Sequence, residues 1–103
     1  MEKTGVVTDP IYKEHNPGKW HPECPERLHS IEKAIEPLRR DLIPVQPRDA
    51  EMEEILLNHD RELFDELARS AHSEHYMFDG DTIASGQTCE ASLRAAGGLI
   101  QLE

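Results

Sequence analysis

The chain holds 103 residues, a length that fits one domain. Hydrophobic residues make up 37% of the sequence and charged residues 31%, so the core of the fold is expected to be small. Acidic residues outnumber Lys plus Arg by 21 to 11, and the formal charge of -10 argues against nucleic acid and anionic membrane as partners. The opening MEKTGVVTDP lacks the apolar centre of a signal peptide, and no apolar run is long enough for a membrane span. We therefore expect a cytoplasmic protein.

The first half of the chain has the pattern strand, loop, helix and strand. The β-branched run TGVVT (residues 4–8) ends at an Asp-Pro turn, which predicts a buried first strand. After a long proline-rich loop, apolar residues recur at helical spacing from Glu26 until Pro37 ends or kinks the helix. The segment LIPVQP (residues 42–47) predicts a second, short strand. This order predicts a parallel pair with a right-handed crossover.

The second half has mainly helical patterns. The segment DAEMEEILLNH predicts a short helix capped by Asp49, and Asp60 is the predicted cap of the next helix. Residues 70–86 are polar and predict a loop, after which Ser85 is the predicted cap of a final helix. The glycine pair Gly97–Gly98 weakens that helix by about 1 kcal/mol per residue relative to alanine. We therefore expect another backbone to pack closely against this pair.

The loop before the first helix carries several side chains suited to binding a metal. The stretch NPGKWHPECPERL (residues 16–28) contains the chain's single tryptophan. His15, His21, Cys24 and His29 lie within fifteen residues, which leaves a structural zinc open, although the spacing is not that of the common zinc fingers. Histidines on the loop surface, with no metal, are the alternative.

A second segment, FDGDT (residues 78–82), places two carboxylates around a glycine. This pattern fits a solvated turn followed by a helix cap. It equally fits a carboxylate at the rim of a site that accepts hydrogen bonds from the amide groups of a ligand. P-loop, GxGxxG, HExxH and GxSxG motifs are all missing from the sequence, which argues against the common phosphate, dinucleotide, metalloprotease and serine hydrolase sites.

Three segments in this order resemble the start of the histone deacetylase family. They are DPIYKEHNPGKWHPECPERLHSIEKAI, then AEMEEILLNH, then DGDTIASGQTCEASLRAAGG. The sequence looks closest to the class II and bacterial deacetylase-like branch, which includes acetylpolyamine deacetylases and acetoin-utilisation-type proteins. The resemblance implies an α/β fold, here the N-terminal part of the arginase/deacetylase-type open parallel sheet, with a short βαβ unit followed by helices. It also implies zinc-dependent hydrolysis of acetylated lysine or acetylpolyamine.

The resemblance places the family's catalytic parts outside this sequence. In the family, two Asp and one His hold the zinc, and a His-His pair and a Tyr assist the attack of water on the amide. The sequence lacks these arrangements, which implies that residues 1–103 are a single truncated N-terminal segment, inactive and without zinc on its own. A cloning scar is one interpretation of residues 102–103. Some relatives hold a structural zinc near the HPE segment, which keeps His21 and Cys24 as metal candidates.

The resemblance also assigns substrate-binding roles. The stretch NPGKWHPECPERL is similar to the first active-site loop of the family, so Lys19, Trp20 and His21 are expected at the wall and rim of the substrate tunnel. The stretch FDGDT is similar to the rim loop in which an Asp accepts hydrogen bonds from the backbone amides of the substrate. Asp81 is the first candidate for this role and Asp79 the second.

A hypothesis from a different class remains. In this hypothesis, the 103 residues are a complete, non-catalytic binding or oligomerisation module that keeps the N-terminal fold of a deacetylase. Open strand edges and apolar helix faces would favour self-association of such a module.

Overall fold

The computed structural model describes residues 4–19, 21–79 and 82–103. Its strands are β1 (Thr4–Val6), β2 (Leu42–Pro44), β3 (Tyr76–Met77) and β4 (Ile83–Ala84). Its α-helices are α1 (Glu26–Ile35), α2 (Met52–Ile55), α3 (Arg61–Ser70) and α4 (Thr88–Leu102). Short 3₁₀ helices span Pro10–Glu14 and Glu36–Asp41. In the described part of the chain, no helix has both the length and the apolar composition that a membrane span requires.

The first two strands form a parallel pair, as the strand–helix–strand pattern predicts. Thr4 pairs with Leu42 and Val6 with Pro44. The Val45 amide extends the ladder by donating to the Val6 carbonyl at 2.8 Å. The chain connects the two strands through α1 and the second 3₁₀ helix, so the βαβ order and the mixed α/β fold class are confirmed.

The prediction of a buried strand over residues 4–8 is wrong in length and in burial. β1 ends at Val6, and Thr4 and Gly5 are exposed. The strand is short because the chain turns at Asp9, whose carboxylate accepts the Ile11 amide at 2.8 Å and starts the first 3₁₀ helix. It is exposed because the sheet described here has two strands, which leaves much of its surface to solvent.

Helix starts follow local capping where no distant partner competes. The prediction for Asp60 is confirmed, since its carboxylate accepts the Leu63 amide at 2.8 Å at the start of α3. The prediction for Asp49 is wrong: α2 begins after Glu51, whose amide donates to the Glu54 carboxylate at 2.9 Å. Asp49 instead receives the Arg94 guanidinium, which lies far along the chain in α4.

The long helix α4 packs against the segment between β2 and α2. A Cβ atom added to Gly97 would overlap the Arg48 carbonyl, and one added to Gly98 would lie 2.8 Å from Val7 Cγ1. The Ala50 amide also donates to a carbonyl of α4 at 2.8 Å. The predicted close approach of another backbone at the glycine pair is therefore confirmed.

Candidate functional site

Strands β3 and β4 form a β-hairpin, called the hairpin below and described over residues 76–79 and 82–84, and three residues of FDGDT, namely Phe78, Asp79 and Thr82, lie between its strands. Strands β3 and β4 pair antiparallel, so the prediction that residues 70–86 are all loop is wrong. The Phe78 amide donates to the Thr82 carbonyl at 2.9 Å, and the Thr82 amide donates to Asp79 Oδ1 at 2.8 Å. Asp79 is thus a carboxylate that stabilises the turn. The first candidate, Asp81, lies outside the described residues.

The proline-rich loop (residues 16–25) is ordered by hydrogen bonds of its own. Gly18 has a φ of 135°, a conformation that favours glycine, and its carbonyl accepts the His21 amide at 3.3 Å. The His21 ring accepts the Glu23 amide at Nδ1, at 3.1 Å. Pro17 is fully buried and anchors the loop. His21, which the resemblance places at the wall and rim of the tunnel, is half-buried, and one ring nitrogen stabilises the turn.

Of the other two candidates in this loop, Lys19 and Trp20, only Lys19 lies within the described residues. Lys19 is exposed, and its place at a rim stays a prediction. Trp20 lies outside the described residues.

The loop and the start of α4 meet in a group of hydrogen bonds, called the loop–helix cluster, whose members are far apart in sequence. His15 Nδ1 lies 2.7 Å from Thr88 Oγ1. The Asn16 amide donates to Ser85 Oγ at 3.1 Å, and that hydroxyl donates to the Glu14 carbonyl at 3.2 Å. The cluster consists of these residues: Glu14, His15, Asn16, Ser85 and Thr88.

Ser85 does not cap α4 as predicted. The helix begins at Thr88 after Gln87, and the Ser85 amide donates to Thr88 Oγ1 at 2.7 Å. The Ser85 hydroxyl contacts the Asn16 amide, the Glu14 carbonyl and Thr88 Oγ1, and it accepts no amide of the first turn of α4. Sequence reasoning missed the role of Thr88, although the spacing of a Ser and a Thr around a helix start is a capping-type pattern.

An apolar cleft of about 440 Å³ lies beside this cluster. His15, His59 and Thr88 are among the residues that line it. Its apolar walls come from α3, the hairpin and α4, and include Leu63, Phe64, Leu67, Phe78, Leu93 and Ala96. The cleft therefore adjoins both segments that carry candidate binding residues.

The described residues do not fit a zinc ion. Across residues 4–19, 21–79 and 82–103, no group of three or more His, Cys, Asp or Glu side chains is arranged to hold a metal. His21 and Cys24, the metal candidates, are not joined by a third ligand there. His21 uses Nδ1 to accept a backbone amide, and Cys24 is half-buried beside a smaller cavity.

Charge pairs hold α4 and α2 to the rest of the fold. Arg94 donates to Asp49 at 2.6 Å and to Asp9 at 3.2 Å, and both bonds raise the pKa of the guanidinium. Arg48 donates to both oxygens of Glu54 at 2.8 Å, which lowers the pKa of that carboxyl to about 2. These pairs fix the scaffold on which the two candidate loops sit.

The family model described as the histone deacetylase domain matches residues 21–103, and the chain belongs to that family. A structure titled "Crystal Structure of HDA15 HD domain" is similar over 93% of this chain, with a TM-score of 0.86 and 24% sequence identity. At that identity, the likeness supports the fold alone.

The extent of these matches is partial. The chain spans 29% of the length of the HDA15 HD domain chain. Thirty solved chains match in all. A search of the curated proteins gave no match. The family membership predicted from three sequence segments is confirmed, as is the deacetylase-type α/β fold.

Proposed function

We propose that this chain is the N-terminal part of a zinc-dependent deacetylase of the class II or bacterial branch, and that it forms one wall and part of the rim of the substrate tunnel. The observation that carries the proposal is the meeting of the two candidate loops at one end of α4. His15 and Thr88 are 73 residues apart in sequence, yet their side chains are in contact. The same cluster leads directly into the proline-rich loop on one side and out of the hairpin on the other.

In this proposal the loops recognise an acetylated amine. Lys19, Trp20 and His21 line the tunnel wall and rim. Asp81 accepts hydrogen bonds from the backbone amides that flank the acetyl-lysine, because a carboxylate offers two strong acceptors to adjacent N–H groups. Asp79 supports the same turn through its bond to the Thr82 amide, which favours Asp81 over Asp79 for contact with substrate.

The zinc ligands belong, in this proposal, to residues beyond these 103. The described residues lack a suitable group, and the chain spans under a third of the solved relative. Zinc bound there supplies Lewis-acid activation of the amide carbonyl and of water. The 103 residues contribute substrate binding, so the isolated chain is expected to release no acetate with or without zinc.

A second candidate, a non-catalytic binding or self-associating module, is favoured by one observation. Several large apolar side chains are exposed, including Leu57 at 81% and Leu99 at 65%. Exposed apolar side chains of this size favour contact with a partner surface. Sedimentation and urea unfolding of the 103-residue chain test this. A monomer or defined dimer that unfolds cooperatively supports the module. Aggregates of no defined size support a segment that needs the rest of a deacetylase domain.

Acetate release by the longer protein that carries these residues tests the main proposal. We expect turnover of an acetyl-lysine peptide or an acetylpolyamine, loss of turnover on chelation and its return with zinc. Asp81→Asn should raise KM for the peptide at least about tenfold, since hydrogen bonds to charged groups contribute about 1.5–3 kcal/mol and each 1.4 kcal/mol is about tenfold. Asp79→Asn is the matched control and should raise KM less. No acetate release from either substrate class would refute the proposal.

A further inference from the structure

We propose that Thr88, His15 and Ser85 are positioning residues that hold the proline-rich loop in register with the hairpin. This inference rests on the proposed function, because it assigns the substrate-binding geometry of that same site to a hydrogen-bonded cluster. None of the three residues was predicted to contact substrate, and the inference does not require them to. Their effect is transmitted through the backbone segments that they join.

Thr88 is the centre of the cluster. It is the first residue of α4 and only 8% exposed. Its Oγ1 accepts the Ser85 amide at 2.7 Å and lies 2.7 Å from His15 Nδ1 and 3.1 Å from Ser85 Oγ. The other ring nitrogen, Nε2, lies 3.4 Å from Glu23 Oε1. Through this chain of contacts, the start of α4 is joined to both ends of the proline-rich loop.

Ser85 makes the second connection. It directly follows β4, so it marks the point where the hairpin ends. Its hydroxyl accepts the Asn16 amide and donates to the Glu14 carbonyl, which fixes the two residues on either side of His15. The end of the hairpin, the start of α4 and the start of the loop therefore share one small set of hydrogen bonds. A shift of any one of them displaces the others.

The order Glu23, His15 and Thr88 looks like a nucleophilic triad, but the surroundings of the hydroxyl argue for positioning. A nucleophilic hydroxyl must be free to attack its substrate, whereas Thr88 is only 8% exposed and its Oγ1 already contacts His15 Nδ1, the Ser85 amide and Ser85 Oγ. Its oxygen also accepts a backbone amide at short distance, which reduces its ability to attack. Held in this way, the hydroxyl is suited to fixing two segments at a set separation.

Removal of the hydroxyl while the shape is kept tests the inference. Thr88→Val deletes the three hydrogen-bond contacts of Oγ1, with His15 Nδ1, the Ser85 amide and Ser85 Oγ, and Thr88→Ser keeps a hydroxyl that can form them. Ser85→Ala is a second variant, with Ser30→Ala as its matched control, because Ser30 makes one exposed hydrogen bond within α1. Far-UV circular dichroism checks that each variant keeps its helices.

Two readouts separate this inference from the proposed function. In the 103-residue chain, the single tryptophan, Trp20, reports on the loop: Thr88→Val and Ser85→Ala should change its emission and acrylamide quenching, whereas Thr88→Ser and Ser30→Ala should not. In the longer protein, Thr88→Val should raise KM roughly tenfold with kcat nearly unchanged, because a displaced loop weakens the binding of substrate and transition state alike.

Each outcome has a defined meaning. Unchanged fluorescence together with unchanged KM in folded Thr88→Val and Ser85→Ala overturns the inference. A fall in kcat at constant KM in Thr88→Val also overturns it, since that pattern indicates a role in the chemical step. Altered fluorescence in both variants, with no deacetylation by the unmodified longer protein, supports the role in holding the loop and refutes the proposed function.

Discussion

Gly97→Ala probes the contact between α4 and the segment before α2. An added Cβ would overlap the Arg48 carbonyl and lie 2.8 Å from the Ala50 amide nitrogen. Both atoms belong to a backbone that cannot easily retreat: the Ala50 amide is bonded to the Leu93 carbonyl at 2.8 Å, and the Arg48 side chain is bonded to Glu54. The substitution therefore forces two packed backbones apart.

The expected loss can be set against a competing gain. Alanine is better than glycine in a helix by about 1 kcal/mol. Overpacking costs about 1–3 kcal/mol, and the upper value applies here because the obstructing atoms are main-chain atoms. The net expectation is a loss of about 2 kcal/mol in the free energy of unfolding. For a domain of this size, that corresponds to a fall of roughly 8–16 °C in Tm.

Urea unfolding followed by far-UV circular dichroism measures this loss. Gly86→Ala is the matched control, because the nearest atom to its added Cβ is the Ser73 carbonyl oxygen at 3.8 Å, an ordinary contact. The control should leave the free energy of unfolding unchanged or raise it slightly. Equal or greater stability of Gly97→Ala than of the unmodified chain would refute the described packing of α4.

Three further predictions concern single side chains. The Arg48 hydrogen bonds lower the pKa of Glu54 from 4.5 to about 2. Their contribution to the free energy of unfolding is therefore present above pH 4.5 and is lost as the pH falls towards 2. Glu54→Gln should remove this part of the dependence of stability on acid pH. Asp60→Ala removes the cap of α3 and should cost about 1 kcal/mol in urea unfolding. Burial, followed by the charges of Glu90 and Asp49, raises the pKa of the Cys89 thiol, so its alkylation by iodoacetamide should be slower in the folded chain than in urea.

Each of these predictions has a control and an outcome against it. Glu53→Gln changes the same charge one residue earlier in α2, and an equal flattening of the acid dependence by both variants would contradict the role of Glu54. Asp60→Asn should keep most of the cap, and equal losses in the two Asp60 variants would argue against capping. Alkylation is measured with Cys24→Ser as background, and equal rates in folded and unfolded chains would contradict the assignment for Cys89.

The sequence predicts those parts of the fold that depend on local patterns. Apolar spacing predicts α1, and the β-branched run and the strand–helix–strand order predict the parallel pair. The hairpin escaped prediction because strands of two residues, Tyr76–Met77 and Ile83–Ala84, are too short for an alternating pattern to be seen. Asp49 was given the wrong role because its partner lies 45 residues away.

In the candidate site, too, the features that depend on local sequence were predicted and those that depend on distant residues were not. The two loops were found from motif resemblance, since their prolines, glycines and carboxylates are visible in the sequence. The cluster that joins them was not found, because a bond between His15 and Thr88 across 73 residues leaves no local signal. His21 shows a third case: its type suggested a rim or metal ligand, while its ring accepts an amide within its own turn.

The central claim is that the proline-rich loop and the hairpin flank the substrate. Photo-crosslinking tests it most directly: an acetyl-lysine peptide with a photoreactive group beside the acetyl-lysine is bound to the longer protein, and the linked residues are mapped by mass spectrometry. We predict crosslinks within residues 16–25 and 78–82 that excess unlabelled peptide removes. Crosslinks of the bound peptide that consistently avoid both segments would contradict the claim.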